Sequence, residues 1–263
     1  MKRYFINQKK GSNKFWTAEI KKKTLHISFG RIGTTGRQTK KEFSSTTACK
    51  AAFNQLVAEK IKKGYTETKT LPAVPVKSTS RFSPIDQKSF WQLIDASLTN
   101  TSLQRQAIYL KKELKKLSSK DLANFQNIFN KLENAAYSWK LWAAAYTIHV
   151  GCSDDGFSDF RGWLISRGKK VYEKALKSSD SLHQLGIKKL EQSGDGEYFL
   201  YLAENVYEEL YDSDISDDKY TKSLKIKTTP SGREWNEGDI KALQKLNPAL
   251  FAMFKNKWQR TLL

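Results

Sequence analysis

The chain has 263 residues, 39% hydrophobic and 12% aromatic, enough bulk for a packed core and for one large domain or two ordinary ones, so a disordered chain is excluded. Lysine and arginine number 46 against 27 acidic residues, a net charge of +19. Residues 1–70 hold 17 basic and 4 acidic residues, so most of the excess sits in about a quarter of the chain; such a footprint suggests nucleic acid or an anionic membrane as partner.

The first 65 residues read as short strands followed by one helix. Strands are expected at 4–7 and 14–20, around a Lys-Gly-Ser-Asn turn at 10–13, and at 24–29. The run Gly30-Arg31-Ile32-Gly33-Thr34-Thr35-Gly36 holds three glycines in seven residues, which predicts a tight loop rather than a continuing strand. A fourth strand follows at 37–43. Hydroxyl caps at 44–47 then lead into a helix with Ala48, Ala52, Phe53, Leu56, Val57 and Ile61 at helical spacing. Gly64 suits its C-terminal stop.

Residues 66–84 carry three of the five prolines, Pro72, Pro75 and Pro84, and read as a partly extended linker. Helical patterns follow. Phe90, Trp91, Leu93, Ile94 and Leu98 begin the first, and a lysine-rich helix at 105–117 turns Ile108, Leu110, Leu114 and Leu117 inward. An apolar stripe runs through 122–148. A helix then starts near Gly156, followed by an acidic, aromatic helix at 197–211, an acidic loop at 212–218, a helix at 237–245, and a turn or helix from Pro248. The fold class expected is α+β: a small antiparallel sheet with one packed helix (1–66), a linker (67–84) and a mainly helical domain (85–263).

The richest motif is Phe29-Gly30-Arg31-Ile32-Gly33-Thr34-Thr35-Gly36-Arg37-Gln38-Thr39-Lys40-Lys41. Its glycines let backbone N–H groups approach an anion. Arg31 and Arg37 bring forked donors that match phosphate oxygens. Phe29 offers a face for stacking on a base or sugar, and Lys40, Lys41, Lys21, Lys22 and Lys23 add a sequence-independent field. The spacing is no Rossmann fingerprint, because no βαβ unit follows. This run, with the closing Ile61-Lys62-Lys63-Gly64-Tyr65, resembles the WGR domain, the DNA-binding module of DNA-dependent poly(ADP-ribose) polymerases and of many bacterial proteins. The namesake tryptophan is Phe29 here, which keeps the stacking face and loses the indole donor. The resemblance implies a grip on the phosphate backbone and on DNA ends or breaks through Phe29, Gly30, Arg31, Gly33, Gly36, Arg37, Gln38 and the lysines.

A second motif spans Trp139 to Leu164. With Phe90-Trp91 upstream and the acidic helix downstream, it is similar to a bacterial helical domain family of unknown function, often fused behind WGR domains, as in molybdate-metabolism-regulator-like proteins. The resemblance supplies no activity. Ser153, Asp154 and Asp155 sit where a helix begins, and capping is the plain account of them. The sharper alternative is a site of His149, Asp154, Asp155, Asp159 and Arg161, in which the carboxylates hold Mg²⁺ and Arg161 meets a phosphate.

Several chemistries are excluded. His26, His149 and His183 form no HExxH pair, and no GxSxG or P-loop is present. The acidic loop lacks the glycine and terminal glutamate of an EF-hand. Cys49 and Cys152 form no CxxC, so neither a disulfide framework nor a cysteine zinc site is expected. Cys152 beside a helix N-terminus is either an activated thiol or a small buried side chain. The longest uncharged stretch, 141–153, has 13 residues, too short to cross a bilayer. The basic amino end has no apolar core, so no signal peptide is expected and a reducing cytoplasmic setting is the default. The leading expectation is a non-enzymatic DNA-binding protein with no cofactor, no metal and no catalytic residues, whose helical domain is a regulatory or interaction module. The alternatives are a metal-dependent enzyme on nucleic acid or nucleotides, and an adaptor whose acidic helix binds a basic protein partner.

Overall fold

The computed structural model describes residues 2–9, 12–32, 36–71, 80–99, 102–211 and 214–261. The turn expected at 10–13 lies partly outside these residues, and Gly33 and residues 72–79 of the linker lie outside them.

Strands β1 (Lys2–Asn7), β2 (Lys14–Lys21), β3 (Thr24–Arg31) and β4 (Arg37–Glu42) precede helix α1 (Thr46–Lys62) and a short β5 (Thr66–Thr68). All pair antiparallel in the order β4-β3-β2-β1-β5. Two expectations are corrected. Gly30 and Arg31 continue β3, paired with Phe15 and Lys14, so the glycine-rich turn begins later. The linker gives up its first residues to β5, which pairs with β1 and closes the edge beyond it.

The pleat explains the core. Phe5, Trp16, Ala18 and Leu25 face one side, where Cys49, Phe53 and Val57 of α1 cover them; Ile27 and Phe29 pack against the same cluster. The Ser45 hydroxyl accepts the Ala48 N–H and starts α1. A cap of this kind contributes about 1 kcal/mol.

The helical region carries α2 (Gln87–Ser97), α3 (Leu103–Leu114), α4 (Ser119–Ala136), α5 (Trp139–His149), α6 (Asp154–Ser166) and α7 (Lys169–Lys177). Short α8 (Ile187–Leu190) and α9 (Glu197–Leu200) follow, then α10 (Leu202–Tyr211), α11 (Ile240–Leu246) and α12 (Pro248–Thr261). Serine caps recur: Ser102, Ser118, Ser138 and Ser153 start α3 to α6, each accepting the backbone N–H three residues on. Those caps also break the long apolar stripe. The stripe at 122–148 is two helices, because the Ser138 cap restarts the chain after Tyr137. The acidic helix at 197–211 divides at Tyr201 into α9 and α10. Ile108, expected inward, is 62% exposed, because Ala107 and Leu110 fill that face of α3.

The chain forms two compact units. The first is Met1–Ser78 with Asn205–Asp217; the second is Thr79–Glu204 with Asp218–Leu263. A segment late in the sequence thus belongs to the sheet unit. Within the second unit, an extended stretch runs along α4. Asn127 and Asn134, two helical turns apart, each clasp its backbone. Asn127 donates to the Tyr220 carbonyl and accepts the Lys222 N–H; Asn134 does the same for Lys225 and Lys227.

Candidate nucleic-acid interface

The interface begins with register. The β2–β3 hairpin turns at Lys22 and Lys23, so Lys21 faces Thr24 and, at the far end, Lys14 lies directly opposite Arg31. Both are exposed. Like charges in direct cross-strand opposition destabilise a sheet. Arg37 stands beside them, paired with Phe29, the next position of β3 on the same face. The charge of Lys63 and that of Lys14 both act on Lys60, whose ammonium lies over the rings of Trp16 and Tyr65. Desolvation is the first cause of its lowered pKa, and the Lys63 charge the second. Lys14, Lys60 and Lys63 were not singled out by the motif. The signal that finds Lys14 is hairpin arithmetic, since a turn centred on Lys22 and Lys23 fixes every pair across β2 and β3.

The pleat also separates residues that the motif lists together. Arg31, Arg37 and Lys41 share the α1 face with Leu25, Ile27 and Phe29, whereas Gln38 and Lys40 project to the other face. All six residues of β4 are exposed, as befits an edge strand rich in cations. Lys41 lies over the Phe43 ring. Lys21, Lys22 and Lys23 occupy the opposite end of the hairpin from Arg31, seven residues along β3 and so about 23 Å away. Lys21 pairs with Glu19.

Phe29 is half-buried and packs on the core cluster, so its ring is only partly available for stacking. Gly30 is buried in β3, and Gly36 has φ +63° with Phe15 against it; Gly33 lies outside the described residues.

The arginines are engaged within their own unit. Arg37 Nη1 lies 3.3 Å from Asp217 Oδ2, both side chains remaining about half exposed (49% and 46%). Arg31 Nη1 donates to the Glu209 carbonyl at 3.2 Å. Both guanidiniums thus meet the Asn205–Asp217 segment, and both residues stay exposed.

The second candidate site looks different. Ser153, not an aspartate, caps α6; Asp154 and Asp155 are exposed in its first turn. Arg161 turns away from them. Its guanidinium pairs with Glu133 Oε1 at 3.2 Å, donates to the Glu133 carbonyl and to Ser158, and stacks over Tyr137 and Phe157. The His149 ring nitrogen Nε2 bonds the Ser193 hydroxyl at 2.8 Å. Asp159 gathers acids, not cations: burial first, then Glu197, Asp155 and Asp195, raise its pKa. Among the described residues no group of three or more histidine, cysteine, aspartate or glutamate side chains is arranged to hold a metal ion. The Cys152 thiol is pushed up to about 12, first by burial and then by Asp159 and Asp154. The activated-thiol alternative is thereby corrected, since the neighbouring carboxylates oppose any lowering by the helix end. Among the described residues no helix is long and apolar enough to cross a membrane.

Comparison with known proteins finds two families along the chain. One family model, the WGR domain, matches residues 1–71; another, a protein of unknown function (DUF4240), matches residues 85–209. Protein YehF of Escherichia coli K12 is 46% identical over 65 residues, covering 25% of this chain and 24% of that protein. The uncharacterized protein YfeS of the same strain is 37% identical over 67 residues, covering 26% and 28%. The chain thus spans about a quarter of the length of these curated relatives. A crystal structure of a Bacteroides fragilis protein is 24% identical, with a TM-score of 0.26, over 44% of this chain and 39% of that one. A WGR domain suggests nucleic-acid binding in general. Family models thus find in this chain a WGR domain at residues 1–71 followed by a DUF4240 helical domain at residues 85–209.

Proposed function

We propose that this protein binds DNA through its WGR domain, gripping the phosphate backbone and duplex ends with little base specificity, while the helical domain acts as a regulatory or interaction module. The observation that carries the reading is the opposition of Lys14 and Arg31 across β2 and β3, with Arg37 beside them. Cations set against one another lose their mutual repulsion when a polyanion lies between them. Arg31 and Arg37 would hold phosphate oxygens. Lys40 and Gln38, on the other face of the edge strand, would reach the neighbouring backbone, with Lys41 on the first face. Lys21, Lys22 and Lys23, about 23 Å along the hairpin, would meet phosphates roughly seven base pairs away, at about 3.4 Å per pair. Phe29 would place the partly exposed edge of its ring against a terminal sugar or base.

The test is titration of 5′-phosphorylated linear, unphosphorylated linear and closed circular duplexes over a range of salt. Six neutralised phosphates give a slope of about −5 in log K against log[salt]. Linear duplexes should bind tighter than circular ones, and Arg31→Ala and Lys40→Gln should each weaken binding with the fold retained by circular dichroism. A flat salt dependence, or affinity untouched by Arg31→Ala, overturns the assignment. Equal affinity for circular and linear duplexes removes the preference for ends.

A further inference from the structure

We propose that the Asn205–Asp217 segment is an internal competitor for DNA, its polar groups seated on the arginines of the WGR domain and replaced there by phosphates when a duplex binds; this rests on the DNA-binding reading above.

The composition of the stretch is that of a polyanion. From Glu204 to Asp218 it carries seven acidic residues and no lysine or arginine, in a chain with a net charge of +19. The contacts fall on the residues assigned to phosphate. Asp217 pairs with Arg37, and the Glu209 carbonyl accepts from Arg31. The Tyr211 carbonyl oxygen lies 3.3 Å from where a side chain at Gly30 would begin, so the backbone of the segment passes close to that glycine. Gly30, Arg31 and Arg37 thus meet one piece of chain.

The segment has two chemistries. Val206, Tyr207, Tyr211 and Ile215 are buried, whereas Glu208, Asp214 and Asp217 are exposed. The apolar side chains anchor it and the acidic ones supply charge. The Asp214 carboxylate accepts the Ser216 N–H at 2.7 Å and so holds the short turn from which Asp217 reaches Arg37.

The strength of the contact suits a competitor. A half-exposed ion pair contributes little, because water and salt screen it. A peptide carbonyl carries only part of the charge of a phosphate oxygen, so its hydrogen bond from Arg31 is the weaker of the two. DNA presents a full charge per phosphate at closer spacing and outcompetes both contacts. Weaker or sparser polyanions do not. The segment therefore raises the threshold for binding without abolishing it.

The experiment compares the wild-type chain, the variant Glu208→Gln/Asp214→Asn/Asp217→Asn, and a control that removes as many charges from the second unit, Glu173→Gln/Glu191→Gln/Glu197→Gln. Affinity for a short phosphorylated duplex is measured at low and high salt, with folding checked by circular dichroism. The first variant should bind about fivefold to tenfold tighter at low salt, the gain shrinking as salt screens the acids, and the control should change affinity by less than about twofold. Repeating Asp217→Asn in an Arg37→Ala background ties the effect to the contact, since the gain from Asp217→Asn should vanish there. An equal gain in the control, or an undiminished gain without Arg37, overturns the competition. If the wild type binds and Arg31→Ala weakens it but the acidic variant gains nothing, only the competitor fails. If no form binds DNA, the functional reading falls with it.

Discussion

Gly36 lies against the ring of Phe15. A Cβ at Gly36 would sit 2.4 Å from Phe15 Cζ and 2.5 Å from the Phe29 carbonyl oxygen, and the residue has φ +63°. Phe15 is 3% exposed and has no room to swing aside. The glycine where the motif re-enters β4 is thus demanded by packing and by backbone conformation together, whatever it also does for an anion.

Gly36→Ala should destabilise the sheet unit by about 2–4 kcal/mol, the sum of a left-handed alanine and an overpacked contact. Chemical denaturation followed by tryptophan fluorescence measures it. Phe15→Leu in the same chain should recover part of the loss, because the clash with the Phe29 carbonyl remains.

The asparagine clasps on α4 make a local prediction. Asn127→Ala and Asn134→Ala each remove two hydrogen bonds to the extended stretch at 220–227. Each should cost about 1–2 kcal/mol and speed amide exchange at Lys222 or Lys227, respectively, while the amides of β2 and β3 keep their protection. Exchange read by mass spectrometry distinguishes this from global loosening.

His149 predicts a pH dependence. Burial, and then the Lys257 ammonium, lower its pKa below the ordinary 6.5, against the smaller pull of Asp195 and Glu191. The unfolded chain therefore takes up this proton first. Stability from this group is complete above about pH 6.5 and is lost as pH falls from there toward the depressed native value, at no more than about 1.4 kcal/mol per pH unit. His149→Gln should flatten that part of the profile while keeping a partner for Ser193. Melting temperatures of the two proteins between pH 7 and 5 make the comparison.

The sequence by itself determined the α+β class, the first four strands and the helix that follows them, and the concentration of positive charge around an aromatic-Gly-Arg motif. These rest on local quantities: alternation along β2 and β3, helical spacing in α1, and serines where helices begin. A strand that ends at Phe29 leaves the Lys14–Arg31 opposition unread, although a turn at Lys22 and Lys23 fixes the pairs beyond it once β3 runs on to Arg31.

Only the tertiary structure decided what each charge meets. Nothing in the spacing of Asp154, Asp155, Asp159 and Arg161 shows that Arg161 turns to Glu133, which lies 28 residues earlier in the chain. Nothing in the acidic run after Glu204 shows that Asp217 reaches Arg37, 180 residues before it. Periodicity reports which face of an element is buried; the partner of an exposed charge is chosen by how distant elements pack, and sequence distance carries no trace of that.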